Sequence, residues 1–404
     1  MRILFLSPQP FFQDRGTPIA VRLAVQVLSD RNKDSLDLLT YHEGSDITIA
    51  NVKQIRIQPP RLLQGFLKNI RPGISVKKLI CDVIFLFTAL KLVLINRHNQ
   101  YDLIHAVEES VFVAALIKLI WKIPYVYDMD SSIAQQLTEK WCLLKPLQLI
   151  FSYLEGLAVK HSVAVVPVCD ALAVIANNHG SHDTQILRDI SLLDLNSEDT
   201  ASTQTLKEEL NIPNDSCIIL YVGNLEPYQG CNLLIDAFAG IANKFPKAHL
   251  VIIGGSEEHL KATQNRINNL HAKTQIHLAG RRPVNRLKNY LLQGDILASP
   301  RLRGNNTPMK IYSYLHAGKA ILATNLPTHT QVLTNEVALL TEPNITNYAQ
   351  GLTTLLSDQE LCKKLGDAAH ELAEQKYTFE IFKRDLNALY DRIANKIENS
   401  KIKR

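Results

Sequence analysis

The densest concentration of reactive side chains lies in Ser299-Pro300-Arg301-Leu302-Arg303-Gly304-Asn305-Asn306-Thr307-Pro308-Met309-Lys310-Ile311-Tyr312-Ser313. Arg301, Arg303 and Lys310 put three cations into one short loop, and Arg281 and Arg282 add two more after Gly280. Guanidinium groups present forked donors that match phosphate oxygens in pairs. An uncompensated charge in a water-poor cleft costs several kcal/mol, so a buried anionic ligand would demand cations of this kind. The alternative reading, solvated loop arginines, fits Arg303 and Arg282 better than Arg301 and Lys310.

Glycine-bearing turns accompany the basic loop. Tyr221-Val222-Gly223-Asn224-Leu225-Glu226-Pro227-Tyr228-Gln229-Gly230, Ile253-Gly254-Gly255-Ser256 and Gly280-Arg281-Arg282-Pro283 each follow a β-branched run. Glycine lets backbone approach a ligand closely, and open α/β sheets bind ligands at the carboxyl ends of their strands. A fourth turn comes early: Arg15-Gly16-Thr17-Pro18 precedes the helical pattern 19–28, with Thr17 expected as its cap and Pro18 in its first turn. That arrangement suits an anion or is simply a capped helix.

These turns need strands and helices to hold them. Strands are expected at 3–6, 36–40, 52–57, 103–105, 125–127 and 164–167, and again at 217–222, 250–253, 275–278, 296–298, 320–323 and 338–340. Helical spacing fills the intervals, the pattern of parallel sheets with crossover helices. The polar segment 196–204 is too hydrophilic to bury and reads as a linker or surface loop. The expected fold class is α/β with two Rossmann-like domains: 1–198, 199–375, and a C-terminal helix in 376–404 that packs back towards the first domain.

The order of strand, Pro-Arg loop, Pro308-x-Lys310-x-Tyr312-x-Tyr314 helix, Ala317-Gly318-Lys319 and strand resembles the donor site of the group 1 glycosyltransferases. Gly223 to Gly230, Gly254, Gly280, Asp295 and the first loop follow that family's landmarks in order, strongly over 216–343 and weakly before about 200. The resemblance implies the GT-B fold, with two domains facing each other across a cleft. It also implies sugar transfer from a nucleotide sugar with retention at the anomeric carbon. Donor-binding residues are then expected to be Gly16, Thr17, Gly223, Asn224, Gln229, Gly254, Arg281, Arg282, Asn305, Thr307, Pro308, Lys310 and Ser313. Two departures stand out. Asn305 and Ser313 occupy the places of a glutamate pair found in many members, and Asn224 and Gln229 replace an arginine and a lysine in the glycine-rich turn. The expected compensation is a relocated clamp built on Arg301 and Lys310.

In the first half, His105, Glu108 and Glu109 follow one strand, and Asp128 and Asp130 follow the next. Asp130 falls where many family members carry a cleft histidine, so His105 and Asp130 join Arg301 and Lys310 as catalytic candidates. A histidine or aspartate after a strand also fits a structural or capping role. Asp128-x-Asp130 has the spelling of a metal-binding pair but lies in the wrong domain, so no metal or other cofactor is expected beyond the UDP- or GDP-sugar itself.

Composition sets the remaining bounds. The chain has 404 residues, 46% of them hydrophobic, enough for two cored domains. Six scattered cysteines without a CxxC pair point to reduced thiols and a cytoplasmic protein. Residues 51–100 carry nine basic side chains against Asp82 alone, and the apolar stretch 79–95 lies inside that window. Its readings are a buried helix with basic flanks, a membrane-spanning helix interrupted by Asp82 and Lys91, or a peripheral face for an anionic inner membrane surface. The last fits a lipid-linked or glycan acceptor. A nucleic-acid partner is not expected, since the basic window has few interleaved aromatics. A non-catalytic nucleotide-sugar-binding protein and a GT-B epimerase remain as alternatives to the transferase.

Overall fold

The computed structural model describes the chain apart from residues 12–15, 32, 45–46, 69, 71–74, 136–145, 194–203 and 403–404. Arg15, Arg71 and nearly all of the polar segment 196–204 therefore lie outside the described residues. The chain divides into two compact units, Met1–Arg188 with Phe382–Arg404, and Asp189–Ile381.

In the first unit the order is β1 (Arg2–Ser7), α1 (Gly16–Ser29), β2 (Ser35–Thr40), β3 (Val52–Arg56), α2 (Arg61–Gln64) and α3 (Val76–Ile95). There follow β4 (Leu103–Val107), α4 (Ser110–Trp121), β5 (Tyr125–Met129), α5 (Gln148–His161), β6 (Ala164–Pro167) and α6 (Asp170–Asn178). The six strands are parallel in the order β3-β2-β1-β4-β5-β6. Helix α1 starts at Gly16, so Thr17 lies within its first turn and is not the cap. Helix α3 is capped by Ser75, whose side chain accepts from the Lys78 backbone at 3.2 Å. Although α3 is twenty residues long, no helix of the described residues is long and apolar enough to cross a membrane.

The second unit repeats the plan with α7 (Leu206–Glu209), β7 (Cys217–Val222), a 3-10 turn (Pro227–Gln229), α8 (Cys231–Ile241), β8 (Ala248–Ile253), α9 (Glu257–Asn268) and β9 (Ile276–Gly280). Then come α10 (Leu287–Leu291), β10 (Ile296–Ser299), α11 (Lys310–His316), β11 (Ala320–Thr324), α12 (Pro327–Thr330), β12 (Leu339–Thr341), α13 (Ile345–Ser357) and α14 (Gln359–Lys376). Its sheet order is β12-β11-β10-β7-β8-β9, the same winding read from the other edge. Ile219, Tyr221, Leu250 and Ile252 pack into one core layer, while Ile218, Leu220, Val251 and Ile253 pack into the opposite layer. A sheet buried on both faces produces continuous apolar strands of this type. The fold is thus the expected two-unit parallel α/β class, and all twelve expected strands are present.

Both sheets change winding direction between their first and fourth strands, β1 and β4 in one unit and β7 and β10 in the other. Crossover helices then leave on opposite faces, and a crevice opens at the strands' carboxyl ends.

The last helix, α15 (Phe379–Ile402), gives residues 382–404 to the first unit. Arg31 holds it there. Its guanidinium donates to Asn387 Oδ1 at 2.9 Å and Asp391 Oδ1 at 2.7 Å, while its Nε pairs with the buried Asp34 at 2.6 Å. Arg31→Met should cost about 3 kcal/mol, because breaking a buried pair leaves its partner uncompensated. Urea denaturation measures the loss. Limited trypsin digestion should show cleavage at Arg384 or Arg392 before any cut in the second unit.

Candidate functional site

Three strand ends of the second unit stand side by side. Gly223 N donates to Ile253 O at 3.0 Å and Gly254 N donates to Gly280 O at 2.8 Å, so the glycines after β7, β8 and β9 form one row. Gly254 has φ +118°, and a Cβ there would sit 1.9 Å from the Gly223 carbonyl oxygen. Only glycine permits that approach.

Beside this row, the turn after β7 and the loop after β10 meet at the winding switch. A Cβ on Gly230, at φ +72°, would sit 1.9 Å from Pro300 O, and Leu302 N donates to Tyr228 O at 2.9 Å. The Tyr314 hydroxyl accepts from Val222 N at 2.9 Å, tying α11 to the end of β7. The loop itself is braced by Thr324 Oγ1 on Arg301 O at 2.5 Å, Thr328 Oγ1 on Asn306 O at 2.6 Å and Gln331 Nε2 on Asn305 O at 2.7 Å.

Lys310 opens α11 and turns its ammonium inward. Nζ lies 3.9 Å from the centroid of the Tyr221 ring, and a Cβ on Gly223 would come within 3.5 Å of it. The atom is buried and has no hydrogen-bond partner among the described residues. Burial lowers its pKa from 10.5 to about 7; Cys231 opposes that shift and the Arg301 charge adds to it. Gln229 Oε1 and Thr307 Oγ1, on the two adjoining segments, are likewise buried without partners. Buried polar atoms are nearly always satisfied, so these three exceptions make the crevice the candidate site for a polar ligand.

Other expected site residues are placed differently. Arg301 is 7% exposed and spends its donors on its own loop: Nε on Arg303 O at 2.9 Å, Nη1 on Asn306 O at 3.2 Å and Nη2 on Asn306 Oδ1 at 3.2 Å. It also lies over the Tyr228 ring at 5.3 Å, so its observed role is to shape the loop rather than to present an open fork. Arg282 is ion-paired with Glu209, whereas Arg281 is exposed. Ser313 is 1% exposed and its Oγ accepts from Leu192 N at 3.0 Å, so it corrects to a structural role. Asn224 is exposed, its Oδ1 accepting from Glu226 N at 3.2 Å; Asn305 is exposed and Pro308 half-buried.

His105, in the first unit, corrects more sharply. It is 1% exposed and stacked on Phe5 at 4.2 Å. Its Nε2 contacts Asp128 Oδ2 at 3.1 Å, and its Nδ1 contacts the Tyr390 hydroxyl at 2.7 Å. A carboxylate only accepts, so Nε2 carries the proton and, in the neutral ring, Nδ1 accepts from Tyr390. With both nitrogens engaged and no access, this ring is structural. Asp130 is half-buried beyond β5, and Gly16 is exposed at the start of α1. Glu108 carries the stronger signal at these strand ends. It is a non-glycine residue at φ +49°, its Oε1 accepts from Ser131 Oγ at 3.2 Å, and burial raises its pKa. Strained backbone under a carboxyl of this kind is concentrated at functional positions.

Residues 202–372 match the family model of glycosyl transferases, group 1. Over these residues the second unit is similar to the group 1 glycosyltransferases. The match includes the glycine row, the β10 loop and Lys310. Among curated relatives, the putative glycosyltransferase YtcC of Bacillus subtilis (strain 168) is 26% identical over 202 residues, 48% of this chain and 49% of that protein. The phosphatidyl-myo-inositol mannosyltransferase of Mycobacterium tuberculosis (strain ATCC 25618 / H37Rv) is 25% identical over 191 residues, 45% of this chain and 49% of that protein. The chain thus spans about half the length of these relatives. Two solved structures share the fold over nearly the full chain. They are sucrose-phosphate synthase from Thermosynechococcus elongatus (TM-score 0.78, 18% identity, 98% and 99% covered) and Anabaena HepE in complex with UDP-glucose (0.72, 17%, 97% and 100%).

The geometry of the second unit makes a paired prediction for Lys310→Met. With its folded pKa lowered to about 7, Lys310 is neutral in the folded chain and charged in the unfolded chain between about pH 7 and 10.5. The unfolded state binds more protons there, so its contribution to stability rises with pH across that window and is least favourable below pH 7. Lys310→Met should raise the melting temperature at pH 6.5, flatten that pH dependence and abolish binding of a nucleoside diphosphate. Scanning calorimetry and titration calorimetry check the two halves. A variant that is both destabilised and still binds would contradict the assignment.

Proposed function

We propose that the chain is a retaining, hexosyltransferase-like glycosyltransferase that moves a sugar from a UDP- or GDP-sugar to a glycan or lipid-linked acceptor. The observation that carries this reading is the buried, unpartnered Lys310 ammonium beside Gly223 at the winding switch of a unit similar to the group 1 glycosyltransferases. HepE was solved with UDP-glucose, which supports a nucleotide-sugar donor of this class here. Residues 199–375 are assigned to the donor and 1–198 to the acceptor, with the helix in 376–404 packed on the latter.

The donor residues we propose are Lys310, Gln229 and Thr307, with Gly223 and Gly254 admitting the ligand to the backbone. Lys310 meets the departing diphosphate, and preorganised charge at such a point is usually the largest catalytic term. The bond between the anomeric carbon and the diphosphate oxygen breaks as the acceptor oxygen bonds to that carbon from the same face. The acceptor proton passes to a phosphate oxygen, so no separate protein nucleophile is needed. Glu108 is proposed to orient the acceptor hydroxyl in place of His105.

The acceptor is proposed to be lipid-linked, consistent with the phosphatidyl-myo-inositol substrate in the name of one relative. Val76, Leu79, Val83 and Phe87 lie exposed along α3, Leu119 and Ile120 along α4, and Leu149 and Tyr153 along α5. An apolar groove of about 400 Å³ runs between Leu63 and Val83. Lys68 and Lys91 are exposed within the same basic window. Such a face suits an anionic bilayer, each basic residue adding roughly 1 kcal/mol, and supports a peripheral position on the inner membrane leaflet. Lys78 is not part of that face, since it pairs with Glu109 and Asp82.

Two measurements test this reading. A thermal-shift screen should give stabilisation by one class of nucleotide sugar, lost in Lys310→Met, and incubation with extracted lipid should yield a glycosylated product. Binding with no product from any acceptor would favour the non-catalytic alternative that the missing glutamate pair suggests. In sedimentation with vesicles, the protein should bind those containing anionic lipid and release as salt rises. The combined Lys68→Glu, Lys77→Glu, Lys91→Glu variant should lose most of that binding. Equal binding to neutral vesicles would remove the electrostatic half of the proposal.

A further inference from the structure

Far along α11 from Lys310 lies a group of side chains that donor chemistry does not use. His316 is the last residue of α11, and His370 and Glu374 are one helical turn apart on α14. Residues four apart share a helix face, so both α14 side chains address the end of α11. The two helices come close because Gly366 faces Gly318: a Cβ on Gly366 would sit 2.4 Å from Gly318 O. One ligand atom from each of His316, His370 and Glu374 lies within 4.8 Å of the others.

We propose that His316, His370 and Glu374 form a binding site for a divalent transition metal, with zinc the best match. One of the two imidazoles is already set for ligation. His370 Nδ1 lies 2.9 Å from His316 O, and a carbonyl oxygen can only accept. Nδ1 therefore carries the proton and Nε2 keeps its lone pair, the arrangement by which a backbone carbonyl orients metal-binding histidines. His316 Nε2 lies 2.7 Å from Glu374 Oε1, while its buried Nδ1 has no partner among the described residues. A bound ion would take the place of the proton between Nε2 and the carboxylate, with Nδ1 then carrying the ring's proton. Two imidazoles and one carboxylate are a recurring zinc set that leaves a position for water. His316 is buried whereas His370 and Glu374 are exposed, so an ion would enter from solvent. The site lies about 9 Å along the helix from Lys310, which separates the metal from the donor crevice and gives it the role of a clip between α11 and α14.

The test uses the full chain, free of any histidine tag, stripped with chelator and kept reduced. Titration calorimetry with zinc chloride should show one equivalent bound and a higher melting temperature. Cobalt(II) should give the visible bands of a low-coordinate nitrogen and oxygen site. His370→Gln and Glu374→Gln, both at exposed positions, should each weaken zinc by about 10–100-fold while the metal-free variants stay folded by circular dichroism. Absence of zinc binding would overturn the proposal. So would a cobalt spectrum with thiolate charge-transfer bands, or variants that bind zinc as tightly as the parent.

Discussion

A single desolvated charge organises the second unit. The Lys310 ammonium is held under the end of β7 against the Tyr221 ring, where water cannot solvate it. A fold that buries an uncompensated cation sacrifices stability, and natural chains keep such groups where function requires them. Much of the surrounding structure follows from that requirement. Gly223, at φ +155°, must lack a side chain because a Cβ would press to 3.1 Å on the Tyr221 hydroxyl, Tyr314 must reach Val222 to fix the helix that carries the lysine, and Arg301 braces the β10 loop. The arginine serves the lysine by shaping its surroundings, and a close second positive charge further favours release of its proton.

The two units share one winding, yet their crevices carry different side chains. Each switch is a geometric opening with no chemical preference of its own. In the second unit the loops after the first and fourth strands bring Gln229, Thr307 and Lys310. In the first, the chain after β4 brings Glu108 and Glu109, and the end of β5 brings Asp128.

The scaffold was legible in the sequence because parallel strands buried on both faces are continuous apolar runs, interrupted where the backbone must turn. Gly223, Gly254 and Gly280 fell at strand ends for a local reason, and local reasons can be read from local residues. Residues whose role depends on a distant partner could not be read in this way. His105 looks like a cleft base until Tyr390, 285 positions later, takes its second nitrogen. Ser313 is committed to Leu192 and Arg282 to Glu209, neither pairing being implied by spacing. Glu108 had a local clue in its place after an apolar strand, but its left-handed backbone became visible only in three dimensions.

The return of α15 to the first unit bears on how the protein is made. During synthesis, residues 1–188 leave the ribosome with Arg31, Asp34 and the His105 ring lacking the helix that later covers them. At 5–20 residues per second, Tyr390 follows His105 by roughly 15–60 s. The second unit, compact within 189–381, can close within that interval. The earlier half of the chain is therefore the last to mature. For that period it depends on chaperones or on its own partial sheet to protect the apolar surface that α15 will cover.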